Sequence, residues 1–202
     1  MKRILSLALA LSLSLCMAVG ASAANIETSG GSGTTPVNLS STSGGDIGGD
    51  PSATALSVTV PTALPMAMAE NGDVTTASNC QIVNNSYGAV RVKSVTITAG
   101  EGWHLTAFGD KSTLASEKVD SNKLGFALKL GNGTQNGTTS GDASTQALIS
   151  APSDGCYMSG VGNTSLNKTD IKYNAIVTPL SSAVTDATVA NVDFIVEWDA
   201  VS

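Results

Sequence analysis

The sequence predicts an all-β fold, an antiparallel β-sandwich of the Greek-key or immunoglobulin-like kind, in a single domain over residues 54–202. Three observations predict it. Charged residues make up only 13% of the chain and aromatic residues 4%, whereas Val, Thr, Ser, Gly and Asn, which favour strands and turns, are abundant. Apolar and polar residues alternate in several short segments. Turn signals separate these segments at intervals of about ten residues, which is typical of sandwiches.

Residues 1–23 are predicted to be a secretory signal peptide. Lys2 and Arg3 precede a short apolar run, and the small residues 21–23 supply a cleavage site. The run is shorter than the roughly 20 residues of a membrane span, and no second run of that kind follows. We therefore expect a secreted or wall-associated mature chain with no membrane contact. Lipidation of Cys16 is the less favoured alternative, because the residue before it is Leu and not a small residue.

The charge and the cysteines restrict the partners and the compartment. Signal cleavage would remove Lys2 and Arg3 from the ten basic residues and move the formal net charge from −6 to −8. Such an acidic chain has no electrostatic attraction to nucleic acid or to anionic lipid.

The mature chain would keep two cysteines, Cys80 and Cys156. In an exported protein we expect them to form a disulfide that stabilises the fold by about 3 kcal/mol, with two free thiols as the alternative.

Residues 24–53 are predicted to form a flexible leader. They are rich in Gly, Ser and Thr and contain few apolar residues, so they cannot build a core. A plain solvated linker is one interpretation of this leader. The others are a spacer, a segment that orders on a partner, or a strand donated to the sheet edge of a neighbouring molecule.

The domain itself is predicted to consist of short strands. Leu56, Val58 and Val60 alternate in the first strand, which prolines end, and residues 71–73 (Asn-Gly-Asp) predict a turn. The alternation in residues 88–100 slips once around Lys93 and Ser94, which indicates a β-bulge. A polar loop is expected over residues 131–145. The remaining predicted strands lie in segments 78–86, 88–100, 103–108, 123–131, 171–182 and 187–201.

The residues that could carry catalysis or bind metal are few. The only histidine, His104, lies between Trp103 and Leu105, so on a strand it faces away from both and towards solvent. No nucleophile motif accompanies it, and one His with two distant Cys is not a zinc ligand set. We therefore expect no catalytic residue, no cofactor and no metal.

Acidic residues are candidates for two further kinds of site, a glycosidase carboxylate pair and a calcium site. Glu197 and Asp199 share a strand face, opposite Trp198, and are interpreted as its polar side and not as a glycosidase pair. The other acidic candidates for such a pair are Glu101, Asp110, Glu117 and Asp193. Asp46, Asp50 and Asp142 could offer oxygen atoms to calcium, but none has EF-hand spacing, and we interpret them as turn residues.

Two tryptophan segments resemble a known family. Gly-Trp-His-Leu-Thr, with Trp103 and Leu105, lies midway along the chain, and a second Trp, Trp198, lies near its end. This arrangement resembles the WxL domain of exported proteins in low-GC Gram-positive bacteria, which has one Trp-x-Leu motif midway and another at the C-terminus. The second motif departs from the pattern, because Ala200 stands where leucine belongs. The resemblance implies non-covalent attachment to peptidoglycan or another cell-wall glycan.

A looser likeness, in composition and architecture alone, is to the fibre-forming matrix proteins of the TasA and camelysin group. Together the likenesses predict a non-catalytic secreted protein with a structural or adhesive role, bound to the wall, to neighbouring copies or to other surface proteins. The alternative is a carbohydrate-binding module that recognises glycan through exposed aromatic residues. Accordingly Trp103, Leu105 and Trp198 are interpreted as core anchors or as parts of a glycan platform.

Overall fold

The computed structural model describes residues 24–26, 29–39, 55–141 and 143–199. The predicted signal peptide, Cys16, and the aspartates Asp46, Asp50 and Asp142 lie outside this described part. One short helix, α1 (Ser112–Ala115), accompanies the strands there. The strands are β1 (Ala24–Ile26), β2 (Gly31–Leu39), β3 (Val58–Val60), β4 (Met66–Met68), β5 (Val74–Thr76), β6 (Gln81–Asn84), β7 (Val90–Ala99), β8 (His104–Thr106), β9 (Lys123–Leu130), β10 (Asn136–Gly137), β11 (Thr145–Ile149), β12 (Tyr157–Met158), β13 (Lys168–Val177) and β14 (Ala187–Trp198).

The strands form two main sheets and a hairpin. The first sheet has the order β1-β3-β6-β13-β9-β10, with β8 also beside β9, and the second has the order β11-β7-β14-β2, with β12 also beside β7. Strands β4 and β5 form the hairpin. All pairs are antiparallel except β8 with β9. Neighbours in each sheet are mostly non-consecutive in the chain, as Greek-key connections produce.

The two sheets pack face to face on one core. Residues of both belong to a single buried cluster, with Phe126 and Ile171 from the first sheet and Val95, Ile97 and Phe194 from the second. On β14, buried residues alternate with less buried ones from Val192 to Val196, as a strand with one inward face requires. The predicted all-β antiparallel sandwich is confirmed.

The predicted β-bulge in β7 is confirmed. Along the ladder with β14, Ser94 lies opposite Ile195 and Val92 lies opposite Val196, so Lys93 is the extra residue. Its side chain is exposed. The bulge returns Val90 and Val92 to the inward face, where both are fully buried.

The flexible leader is the main correction to the prediction. Residues Ala24–Ile26 pair with β3 in the first sheet, and Gly31–Leu39 pair with β14 in the second along nine residue positions. We call β1 and β2 together the N-terminal arm. Side-chain patterning missed the arm because its strands pair through backbone groups, which small polar residues supply as well as apolar ones. Residues 40–54 lie outside the described part.

Candidate functional site

Trp103 stands at one end of the sandwich. It precedes β8, and its backbone N–H donates to the carbonyl of Gly100, just beyond β7. The indole is partly buried and packs against the core cluster. Leu105 is 5% exposed and pairs with Leu124 of β9. His104 is exposed between them, as predicted.

Trp198 stands at the other end. It continues the inward-facing row of Val192, Phe194 and Val196 on β14, and it is also partly buried against the core. A Cβ on Gly88 would lie 2.7 Å from the indole Cζ3, so this ring fits against a backbone that carries no side chain. The backbone N–H of Trp198 donates to Oγ of Ser29, 3.3 Å away, next to the N-terminal arm.

The two tryptophans do not share a surface. Trp198 pairs with Val90 at the start of β7, whereas Trp103 bonds to Gly100 after the end of that strand. The ten residues of β7 at about 3.3 Å each place the two ends about 30 Å apart. The geometry therefore favours two separate core anchors over one aromatic platform built from both indoles.

The two cysteines are not joined. Both are free thiols, with Cys80 8% exposed and Cys156 fully buried, so the structure contradicts the expected disulfide. Cys80 precedes β6 in the first sheet, and its carbonyl accepts a bond from Ile171. Cys156 precedes β12, and its carbonyl accepts a bond from Val92 in the second sheet. Both thiols belong to the same buried cluster, where each packs as a small apolar group, and burial raises the pKa of Cys80.

Glu197 at the end of β14 and Asp199 just after it belong to an ion-pair network. Arg91 on β7 lies 2.8 Å from Glu197 and 3.5 Å from Asp199, and Lys93 lies 3.1 Å from Glu197. Hydrogen bonds from Lys93 and then Arg91 lower the pKa of Glu197. A carboxylate held ionised in this way is a poor general acid, which supports the interpretation of the pair as a polar strand face.

A groove of about 680 Å³ opens beside the β4–β5 turn. Its titratable lining residues are Glu70 and Lys111, and Lys111 is ion-paired with Asp73. Asn71 also bonds to Asp73 and closes the predicted turn. These contacts account for the charged and polar side chains at the rim of the groove, because they hold the turn together.

The described residues contain no group of three or more His, Cys, Asp or Glu side chains placed to hold a metal ion. Within the same ranges no helix has the length and apolar character needed to cross a bilayer.

Three exposed apolar side chains belong to one end of the described part of the molecule. Tyr87 is 58% exposed, Tyr157 49% and Leu166 58%, and the segments that carry Tyr157 and Leu166 are connected, because Ser159 donates to the carbonyl of Leu166. The loop of Tyr87 contacts the segment after β12, since Val161 donates to the carbonyl of Ser86. We call Tyr87, Tyr157 and Leu166 the tyrosine end. Tyr87 and Leu166 lie outside the strands, so no strand period in the sequence indicates them.

No protein-family model matches this chain, and searches of curated proteins and of solved structures found no match either. The likenesses to WxL domains and to the TasA and camelysin group therefore stay predictions.

Proposed function

We propose that this chain is a non-catalytic, secreted structural or adhesive protein of a Gram-positive cell surface. It binds the wall non-covalently, or it is built into the extracellular matrix with neighbouring copies. The observation that supports this role is the N-terminal arm. A sheet edge that an N-terminal strand completes can also connect molecules, because the same backbone hydrogen bonds can form between two chains.

The arrangement of the side chains is compatible with this role. The inward faces of both sheets form one apolar core. The only histidine is exposed, and Arg91 and Lys93 form ion pairs with the acidic pair Glu197 and Asp199. Apart from the tyrosine end, the most prominent surface features of the described residues are the edge strands of the two sheets.

Fractionation of the producing cells tests the proposal. We expect the mature chain in the wall or matrix fraction, and we expect purified protein to sediment with isolated cell walls or to form large assemblies. Treatment with denaturant, without any hydrolase, should release it from walls, because the attachment is non-covalent. A chain that stays in the culture medium as a monomer, or that only a wall hydrolase releases, would contradict the proposal.

The tyrosine end supports a second candidate, a carbohydrate-binding module. Exposed tyrosine rings stack on sugar rings, and Tyr157 lies beside Arg91 in the β12–β7 ladder, where a guanidinium can donate hydrogen bonds to sugar hydroxyls. This candidate needs neither tryptophan, so the separation of the two indoles does not contradict it.

Matched substitutions test the second candidate. Tyr87→Ala and Tyr157→Ala should each weaken binding to peptidoglycan or soluble glycan about tenfold, which corresponds to about 1.4 kcal/mol, and should leave the melting temperature unchanged. Val184→Ala is the control, because Val184 is 38% exposed but lines the groove instead. Equal binding by all three variants and the parent would exclude a glycan site at the tyrosine end.

A further inference from the structure

The outward face of the first sheet carries three lysines on strands β9 and β13. Lys168 and Lys172 lie on β13 and are exposed, and Lys129 lies on β9 and is partly exposed. Each of them is followed by a buried residue, so all three side chains point away from the core. We call these three residues the lysine face.

Two of these lysines are directly opposite each other. Lys129 and Lys172 are cross-strand partners, and partners in an antiparallel ladder have Cα atoms about 4.5–5.5 Å apart. Like charges in this position destabilise a sheet. Lysines on an edge strand prevent aggregation, but β9 and β13 have neighbouring strands on both sides. Protection of an edge therefore does not explain this pair.

The lysine face has no ion-pair partner among the described residues. Asp170 is the acidic residue on the same side of β13, and its Oδ1 accepts a hydrogen bond from Nε2 of Gln81 on β6, 2.7 Å away. Its carboxylate is therefore held on the β6 side of the strand, away from Lys129. Four other basic residues do form ion pairs, namely Arg91, Lys93, Lys111 and Lys123. The lysine face thus keeps an excess of positive charge.

The acidic net charge of the chain does not exclude an anionic ligand at this face. At physiological ionic strength a charge acts over about 8 Å, so an approaching anion responds to the local positive charge and not to the total. Lys168 and Lys172 are four residues apart on β13, which corresponds to about 13 Å at about 3.3 Å per residue. That length suits an unbranched polymer with several charges better than a single small anion.

Phosphate is the anionic group that suits these side chains. Lysine binds phosphate as a point charge. A polymer with a phosphate group in every repeat is also densely charged, so it releases condensed counterions when lysines contact it. A polymer with widely spaced carboxylates holds fewer condensed counterions and gains less free energy from the same contacts.

From these observations we infer that the lysine face binds a linear phosphate polymer of the cell wall. The inference rests on the proposed function for the source of the polymer, and it adds the chemistry of the ligand and the residues that bind it. Lys129 and Lys172 contact neighbouring phosphates, and Lys168 contacts a further phosphate along β13. The bound anion also removes the repulsion between Lys129 and Lys172.

Binding of inorganic polyphosphate to the purified mature chain, measured at several salt concentrations, tests the inference. Three phosphate contacts predict that the logarithm of the Kd rises with the logarithm of the salt concentration with a slope of about 2, since each contact on a single strand contributes about 0.7. Lys172→Gln should lower this slope by about 0.7, and Lys129→Gln together with Lys172→Gln should lower it to about 0.7.

Two control variants separate the lysine face from net charge and from folding. Lys118→Gln removes the same charge from an exposed loop position and should leave the slope unchanged. Lys172→Arg keeps the charge and should keep the binding. Without polymer, Lys172→Gln should raise the melting temperature by about 1–2 °C, because it removes the repulsion from Lys129. Equal weakening by Lys118→Gln and Lys172→Gln, or equally tight binding of polyglutamate, would overturn the inference.

Sedimentation with isolated walls tests the source of the polymer. Cold hydrofluoric acid cleaves phosphodiester bonds and leaves peptidoglycan, so treated walls should retain much less of the parent protein than untreated walls do. Lys129→Gln with Lys172→Gln should reduce sedimentation with untreated walls to the level of treated walls. Equal sedimentation of parent and variant with both kinds of wall leaves the surface role standing and refutes the lysine face. Lysine-dependent binding of polyphosphate by a protein that never sediments with walls supports the binding face and refutes both the wall source and the wall role.

Discussion

Replacing Trp103 by Ala decides whether the indole holds the fold together or binds a ligand. Full removal of a buried Trp costs about 3–5 kcal/mol. The Trp103 indole is only partly buried against the core, so we expect about half of that, near 2 kcal/mol. In a domain of this size each kcal/mol shifts the melting temperature by about 2–4 °C. Trp103→Ala should therefore lower it by about 4–8 °C.

The assay is thermal unfolding followed by circular dichroism, together with sedimentation on isolated cell walls well below both melting temperatures. His104→Ala is the matched control, because His104 is the exposed neighbour and an exposed substitution changes stability by about 0.5 kcal/mol or less. We expect wall binding to be unchanged in both variants. A Trp103→Ala protein that melts like the parent but no longer sediments would refute the core-anchor reasoning.

Three further outcomes are expected. Thiol titration of the mature protein, purified in air, should find Cys80 and Cys156 free after unfolding and unreactive before it, and a single disulfide in their place would contradict the structure. Gly160→Ala should prevent folding or destabilise strongly, because the new Cβ would lie 1.9 Å from the Tyr87 carbonyl; a normal melt would show that this close approach is wrong. Because its two basic neighbours lower the pKa of Glu197, the stability that this carboxylate contributes is present above its unfolded pKa and is lost as the pH falls through its folded pKa. Glu197→Gln should therefore flatten the acid side of the pH–stability curve, and an unchanged curve would exclude that contribution.

The sequence alone was sufficient to predict the strands that have one apolar face. On β14, Val192, Phe194 and Val196 are fully buried and alternate with less buried residues. The bulge at Lys93 was visible as a single slip of the same alternation. In these segments burial of every second side chain determines both the residue types and the conformation, so a local pattern is enough.

The candidate sites depended on contacts that no local pattern records. The sequence could not place Trp103 and Trp198 at opposite ends, because their separation follows from how β7 and β14 are registered. It also suggested a disulfide from the cysteine count, whereas both cysteines are buried free thiols in the fold.

The N-terminal arm is the clearest case in which the sequence and the tertiary structure determine different properties of one segment. Composition alone determined that residues 24–53 contain few apolar side chains with which to build a core of their own. Only the tertiary structure decided that part of this segment is strand, because β14 offers a complete row of backbone donors and acceptors to it. Backbone hydrogen bonding is common to every residue type but proline, whose N–H is absent, so which edge a polar segment joins depends on the folded partner and not on the segment itself.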